Sequence, residues 1–296
     1  MASSLSYSPT PVIEPKLEGM NGVRLLVKRE DLNHPFVSGN KWWKLKYNLE
    51  QAKRVGHDTL LTFGGAYSNH LYATAAAAHE LSMKSIGIVR GERTNPLNQT
   101  LSFAESRGMK LHFISREAYR KKNEHEFLQS IRNQFGEVYI LPEGGTNEFA
   151  VRGCTEFAKT LEQEIDFDYL CLPIGTGGTM AGTIEGLSSN KKVIGFSSLK
   201  GGDFLKNEIQ SLVSNTQLDW QVNTDYHFGG YGKTTNELMT FIGDMKMNYQ
   251  LPLDQVYTAK MMMGVLDLIH QNYFEHGSTI LVLHTGGLQG NGLINS

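Results

Sequence analysis

The sequence predicts an α/β fold built on largely parallel sheets, and three features carry that reading. Strand-like and helix-like runs alternate through most of the chain, short glycine-rich or polar segments join them, and no fixed-period repeat or low-complexity tract intervenes. With 296 residues, 40% of them hydrophobic, the chain can bury one large core or two modest ones.

Each unit can be justified in turn. "VSGNKWWKLKYNLEQAKRVG", Val37 to Gly56, reads as a helix with Ser38 as N-cap, since Trp42, Leu45, Leu49 and Ala52 recur at helical spacing and Gly56 can stop it. "TLLTF" (59–63) precedes the alanine-rich helix "LYATAAAAHEL", and "SIGIVRG" (85–91) precedes "NPLNQTLSFAESRG". "KLHFIS" (110–115) precedes a charged helix over about 122–135, and "EVYILPEGG" (137–145) leads into "EFAVRGCTEFAKTLEQE". "YLCLPIG" (169–175) and "VIGFSS" (193–198) each open a further strand–helix unit, and "STILVLHTGG" closes the pattern. The dense short units from about 58 to 145 suggest a small four-stranded domain. We therefore expect residues 46–149 to form a small α/β domain, with 1–45 and 150–296 making a large one.

Composition narrows the function. A net charge of −2 and a pI near 6.6 advertise neither nucleic acid nor an anionic membrane, and the short "KK" runs at 121–122 and 191–192 read as solvated faces. No segment approaches the roughly 20 apolar residues of a membrane span. The N-terminus lacks the pattern of a secretory signal, so a cytoplasmic protein is expected. Cys154 and Cys171 are too few for a disulfide framework or a cysteine metal site. His70 and His79 are wrongly spaced for one helical face, so no metal is expected.

Ligands of open parallel sheets gather at the C-terminal strand ends. Four loops occupy such positions: "GGAYSNH" (64–70), "EGGTN" (143–147), "GTGGTMAG" (175–182) and "HTGG" (284–287). The third exposes backbone N–H groups at a helix start, which suits a phosphate. Met180 stands at the third position of a dinucleotide fingerprint, and no acid follows about 20 residues on, so a single phosphate monoester fits better. An unliganded glycine turn is the plain alternative. Ser68 and Asn69, at the mouth of a helix, could be ordinary caps. Lys41 stands at a helix start, where the macrodipole disfavours a cation. A surface lysine is the commoner case, but a lowered pKa would suit an amine that must be neutral to attack a carbonyl. A lysine with a monophosphate cradle implies pyridoxal phosphate.

The segment "KREDLNHPFVSGNKWWKLKY" resembles the K-R-D/E-D-L…G-N-K-x-R-K-L signature of the pyridoxal-phosphate enzymes that include 1-aminocyclopropane-1-carboxylate (ACC) deaminase and D-cysteine desulfhydrase. "SNH", "LPEGGTN", "GTGGTMAG", "GGYGKTTNEL", "PLDQVYTAKMM" and "LHTGG" match in order, from about residue 8 to 290. The resemblance implies the fold of the tryptophan synthase β subunit (fold type II), two open, mostly parallel twisted sheets with the active site between domains. It implies that Lys41 binds pyridoxal 5′-phosphate covalently. Asn69 would bond the ring hydroxyl, and Gly175, Thr176, Gly177, Gly178 and Thr179 the phosphate. Thr285 would face the pyridine nitrogen, Tyr231 and Tyr257 would be the active-site tyrosines, and Ser68 would act on substrate. Asn69, His70, Gly145 and Thr258 are expected to line the substrate site, and a homodimer is expected. Trp43 and Tyr72 depart from the pattern, since the family usually has arginine at both positions.

The implied activity is that of a lyase or deaminase of a small amino acid. ACC deaminases of this family have Glu after the second tyrosine and Leu in "H-L-G-G". Here Thr258 and Thr285 stand there, as in D-cysteine desulfhydrases, so β-elimination to pyruvate, ammonia and sulfide is expected. ACC deamination, other chemistry on the same fold such as racemisation or β-replacement, and a non-catalytic cofactor binder remain as alternatives.

Overall fold

The computed structural model describes residues 5–215 and 217–293. Among these residues ten strands form two sheets. The larger contains β1 (Val12–Ile13), β2 (Arg24–Lys28), β7 (Tyr169–Ile174), β8 (Lys192–Ser197), β9 (Asp219–Asn223) and β10 (Thr279–Leu283), in the order β1-β2-β10-β7-β8-β9. Only β1 runs antiparallel to its neighbour. The smaller contains β3 (Thr59–Gly65), β4 (Lys84–Arg90), β5 (Met109–Ile114) and β6 (Tyr139–Leu141), all parallel, in the order β5-β4-β3-β6. Strands buried on both faces, such as "YLCLPI" in β7, read as unbroken apolar runs because helices cover both sides.

The helices are α1 (Asn40–Arg54), α2 (Asn69–Glu80), α3 (Gln99–Ser106), α4 (Arg116–Arg120), α5 (His125–Phe135), α6 (Glu148–Glu164), α7 (Gly178–Gly186), α8 (Phe204–Leu212), α9 (Asn236–Tyr249) and α10 (Thr258–His270). On the small sheet, Leu71, Ala75 and Leu101 of α2 and α3 pack on Val89 and Met109. Tyr119 and Ile131 of α4 and α5 pack on Phe63, Ile86 and Ile88 of the opposite face. One core runs continuously between the sheets. It joins Leu45, Leu49 and Ala52 of α1 to Ala73 and Ala77 of α2, and to Cys154, Phe157 and Leu161 of α6. Methionines of α10 and Leu238 of α9 cover the outer face of the large sheet. No helix among the described residues is long and apolar enough to cross a membrane.

Three local expectations change. Gly39, not Ser38, caps α1, and it does so without a side-chain bond. Gly39 adopts φ +68°, and a Cβ there would stand 2.0 Å from the Thr285 carbonyl oxygen, so the chain before α1 lies directly on the loop after β10. The charged helix expected over 122–135 is α5, starting at His125, and a further short helix, α4, precedes it across a break from Lys121 to Glu124. β9 is an additional strand beyond those expected. It is a half-exposed edge strand whose polar residues, Asp219, Gln221 and Asn223, hide its pattern.

Candidate active site

The loops after β3, β6, β7 and β10 converge on the start of α1 and enclose a cavity of about 560 Å³. It is the C-terminal strand ends of both sheets that face this space, as the parallel topology requires.

Lys41 lines the cavity from the first turn of α1. Its ammonium donates to Asn40 Oδ1 at 2.8 Å, and Asn40 Nδ2 donates to Thr179 Oγ1 at 2.8 Å, so one amide links the lysine to the glycine loop. Burial pulls the Lys41 amine down to about 8, against the opposing pull of Asp254. Lys44, one turn on, is a cavity cation not singled out from the sequence. Its Nζ donates to Thr146 Oγ1 at 2.9 Å and to Thr176 Oγ1 at 3.4 Å, and burial, then the charge of Lys41, pull it down to about 7. Lys46 faces away and pairs with Glu156 at 2.7 Å.

Gly175 to Thr179 pass from β7 into α7 along the cavity wall. Gly177 caps α7 in the left-handed region, φ +76°, which an L side chain would strain, and a Cβ there would stand 2.8 Å from Ile209 Cγ1. The first-turn N–H groups of α7 have no intrahelical acceptor and carry the positive helix end. With Lys44 alongside, this loop suits a phosphate monoester.

Ser68, Asn69 and His70 all line the cavity. Ser68 is also the N-cap of α2, its Oγ accepting from Leu71 N at 3.2 Å, so the capping role and the exposure to ligand coexist. Asn69 Oδ1 accepts from Gln289 Nε2 at 2.7 Å. His70 Nε2 meets Thr62 Oγ1 at 2.9 Å, and that hydroxyl donates onward to Leu141 O at 3.0 Å, which assigns the proton to Nε2. Its Nδ1, buried and without a partner, is left as an acceptor beside Gly145. Burial, reinforced by Lys44 and Lys41, holds the imidazole well below its usual range and therefore neutral.

Tyr231 and Tyr257 lie edge to face, with ring centroids 6.0 Å apart, and both line the cavity. Burial raises both phenols, Tyr257 well above its usual value, so each keeps its proton near neutrality. Thr285 and Gly286 supply the β10 wall. Two expected residues lie outside the lining. Thr258 is fully buried beneath it, its hydroxyl accepting from Asp254 N at 2.8 Å, because it serves the turn that starts α10. Gly145 lies behind His70, φ +68°, in a turn beside the lining residues Gly144 and Thr146.

Two supporting residues are not among those singled out from the sequence. Asp254 accepts from the backbone N–H groups of Val256 (2.9 Å), Tyr257 (2.7 Å) and Thr258 (3.2 Å), an Asx turn legible as Asp ahead of a helix. Lys260 is buried and donates to His227 O and Gly230 O, each at 2.8 Å, anchoring the glycine-rich loop that carries Tyr231. Nothing in "TAKMMM" distinguishes that lysine from a solvated one.

Trp43 and Tyr72 also lie outside the lining. Trp43 stacks on Phe157 at 5.0 Å and donates Nε1 to Glu30 Oε2 at 2.8 Å. Tyr72 stacks on Phe103 at 3.8 Å, with the Arg107 guanidinium 4.9 Å from the Phe103 ring. Both replacements change packing at a distance from the cavity wall.

An amine suited to an aldehyde, a helix-start cradle for one phosphate and a neutral imidazole with a free acceptor all fit pyridoxal phosphate. Among the described residues no group of His, Cys, Asp or Glu could hold a metal ion. The bifunctional D-cysteine desulfhydrase/ACC deaminase (mitochondrial) of Arabidopsis thaliana is 30% identical, over 97% of this chain and 78% of its own. The ACC deaminase of Bradyrhizobium sp. (strain BTAi1) is 29% identical, over 96% of this chain and 93% of its own. The crystal structure of an ACC deaminase homologue superposes with a TM-score of 0.83 at 26% identity, covering 96% of this chain and 91% of that one. The model of the family described as "pyridoxal-phosphate dependent enzyme" matches residues 3–286, and the chain belongs to that family.

Proposed function

We propose that the chain catalyses β-elimination from D-cysteine or a related β-substituted amino acid, giving pyruvate, ammonia and sulfide or the corresponding thiol. Pyridoxal phosphate, when bound, supplies the electron sink for the pair left at the substrate Cα. Lys41 is the residue proposed to hold it, with the 175–179 loop and Lys44 on its phosphate and Asn69 on its ring hydroxyl. Lys41 Nζ, lining the cavity, would take the Cα proton. The free first-turn N–H groups of α2, at Asn69 and His70, receive the substrate carboxylate. Ser68, Tyr231 and Tyr257 present protonated hydroxyls toward the departing group and exclude water from it.

The observation that carries this choice is that Thr258 and Thr285 stand where the ACC deaminases resembled have Glu and Leu. Thr285 is a neutral hydroxyl on the β10 wall, Thr258 is buried behind the lining, and the only acidic residues lining the cavity among those described, Glu143 and Glu208, lie on other walls. A carboxylate against the pyridine nitrogen would favour its protonated, strongly electron-withdrawing form, which suits opening a ring that has no α-proton. A hydroxyl suffices where an α-proton and a good leaving group are both available. We also propose residues 46–149 as a small domain around the four-stranded sheet, a homodimer, and the cytoplasm as setting, the last supported by two free buried thiols, Cys154 and Cys171. The test compares pyruvate and 2-oxobutanoate release from D-cysteine, β-chloro-D-alanine and ACC. Efficient 2-oxobutanoate from ACC with no sulfide from D-cysteine would favour the Bradyrhizobium-like activity instead.

A further inference from the structure

Four cations line the cavity, and three have evident work. Lys41 and Lys44 serve the cofactor as proposed above, and Lys122 lies 3.2 Å from Glu143, whose carboxylate also accepts from Tyr119 OH at 2.8 Å. Arg90 is left over. It ends β4 in register with Gly65 of β3, where no side chain covers it; a Cβ on Gly65 would lie 3.3 Å from its Nη2. Its guanidinium stands 5.6 Å from the Tyr119 ring centroid and, among the described residues, has no carboxylate or carbonyl partner. The nearby acid, Glu143, is already taken by Lys122 and Tyr119.

Such a guanidinium at a cavity wall is a fork for an oxyanion. The α-carboxylate of the substrate has its own donors at the start of α2, so the anion that Arg90 meets belongs to the rest of the substrate. Resting on the β-elimination reading and extending its leaving group beyond thiolate, we infer that Arg90 forms the subsite for the β-substituent, and that β-substituted alanines whose leaving group is an oxyanion, such as a phosphate ester, are also substrates. Elimination from O-phosphoserine breaks the Cα–H and Cβ–O bonds. The proton goes to Lys41 Nζ, the Cα electrons form the Cα=Cβ bond, and the Cβ–O pair leaves with phosphate. The released enamine tautomerises and takes up one water, giving pyruvate and ammonia.

The test uses holoenzyme and two readouts. Calorimetry compares 2-amino-3-phosphonopropionate, whose C–P bond cannot eliminate, with 2-aminobutyrate, in both enantiomers. The phosphonate should bind at least about tenfold tighter, the scale of one charge-assisted contact. Arg90→Gln should remove that preference and Arg90→Lys should keep part of it. In turnover, Arg90→Gln should lower kcat/KM for O-phosphoserine about tenfold or more relative to β-chloroalanine. Equal weakening of both amino acids by Arg90→Gln would place the guanidinium on the α-carboxylate and overturn the inference. So would the absence of any preference in the wild type. An Arg90-dependent preference without pyruvate from any substrate would support the subsite while rejecting the elimination reading.

Discussion

Lys44 Nζ donates to Thr146 Oγ1 across 2.9 Å, and Thr146 Oγ1 lies 2.6 Å from Thr176 Oγ1. Through these two hydroxyls the second lysine of α1 is fastened to the loop proposed to hold phosphate. Lys41, on the same face, keeps only the amide of Asn40. The two amines therefore differ in restraint, Lys44 being held between two hydroxyls of that loop while Lys41 has a single amide partner.

The pH dependence of cofactor capture follows from that pair. With Lys41 pulled down to about 8, the apo-protein should bind pyridoxal phosphate faster as pH rises from 6.5 to about 8.5, then level off. Stability has the same sign. An unfolded lysine titrates near 10.4, so between about 8 and 10 the unfolded chain binds more protons than the folded one. Apo-protein stability should rise across that window, and below about 7 the cost of burying both charges is present in full. Stopped-flow absorbance at pH 6.5, 7.5, 8.5 and 9.5 and urea midpoints at pH 7, 8.5 and 10 check both, and a capture rate still rising about tenfold per pH unit above 8.5 would give the reactive amine the ordinary pKa of a lysine in water.

Ser68→Ala should affect two properties. Loss of the cap on α2 should cost about 1 kcal/mol of stability, and turnover should fall while the cofactor stays bound. A stability loss with kcat unchanged would reduce Ser68 to a cap.

Trp43→Phe tests a buried carboxylate. Glu30 is buried and accepts from Tyr7, Thr10, Asn33 and Trp43, all neutral donors. Removing the indole N–H leaves that carboxylate one donor short, at a cost of about 1–3 kcal/mol. Urea unfolding should register the loss, while the cofactor spectrum stays unchanged, because Trp43 does not line the cavity.

Much of the fold is legible in the sequence because it spells itself in alternation. Apolar strands ending in glycine or polar loops mark β3, β6, β7 and β10, and the same loops make the cavity wall. What escapes depends on three-dimensional context. Arg90 and Lys122 look like surface cations until the break between α4 and α5 and the bare Gly65 bring them to the cavity. Lys260 is solvated or buried depending on which carbonyls lie above it, and periodicity is silent on that. Gly177 is legible as a phosphate-loop glycine, yet its missing Cβ faces Ile209 of α8, so part of its need is helix packing. The place of Thr258 after Tyr257 suggests a pocket residue, but the turn around Asp254 directs it inward.

Everything proposed for the site depends on Lys41 being the cofactor lysine, and Lys44 is its real rival, since burial lowers that amine further still. Borohydride reduction of the holoenzyme followed by peptide mapping decides between them. The expected result is a pyridoxyl adduct on Lys41 alone, with a colourless Lys41→Ala protein. An adduct on Lys44 in the native enzyme would contradict that assignment.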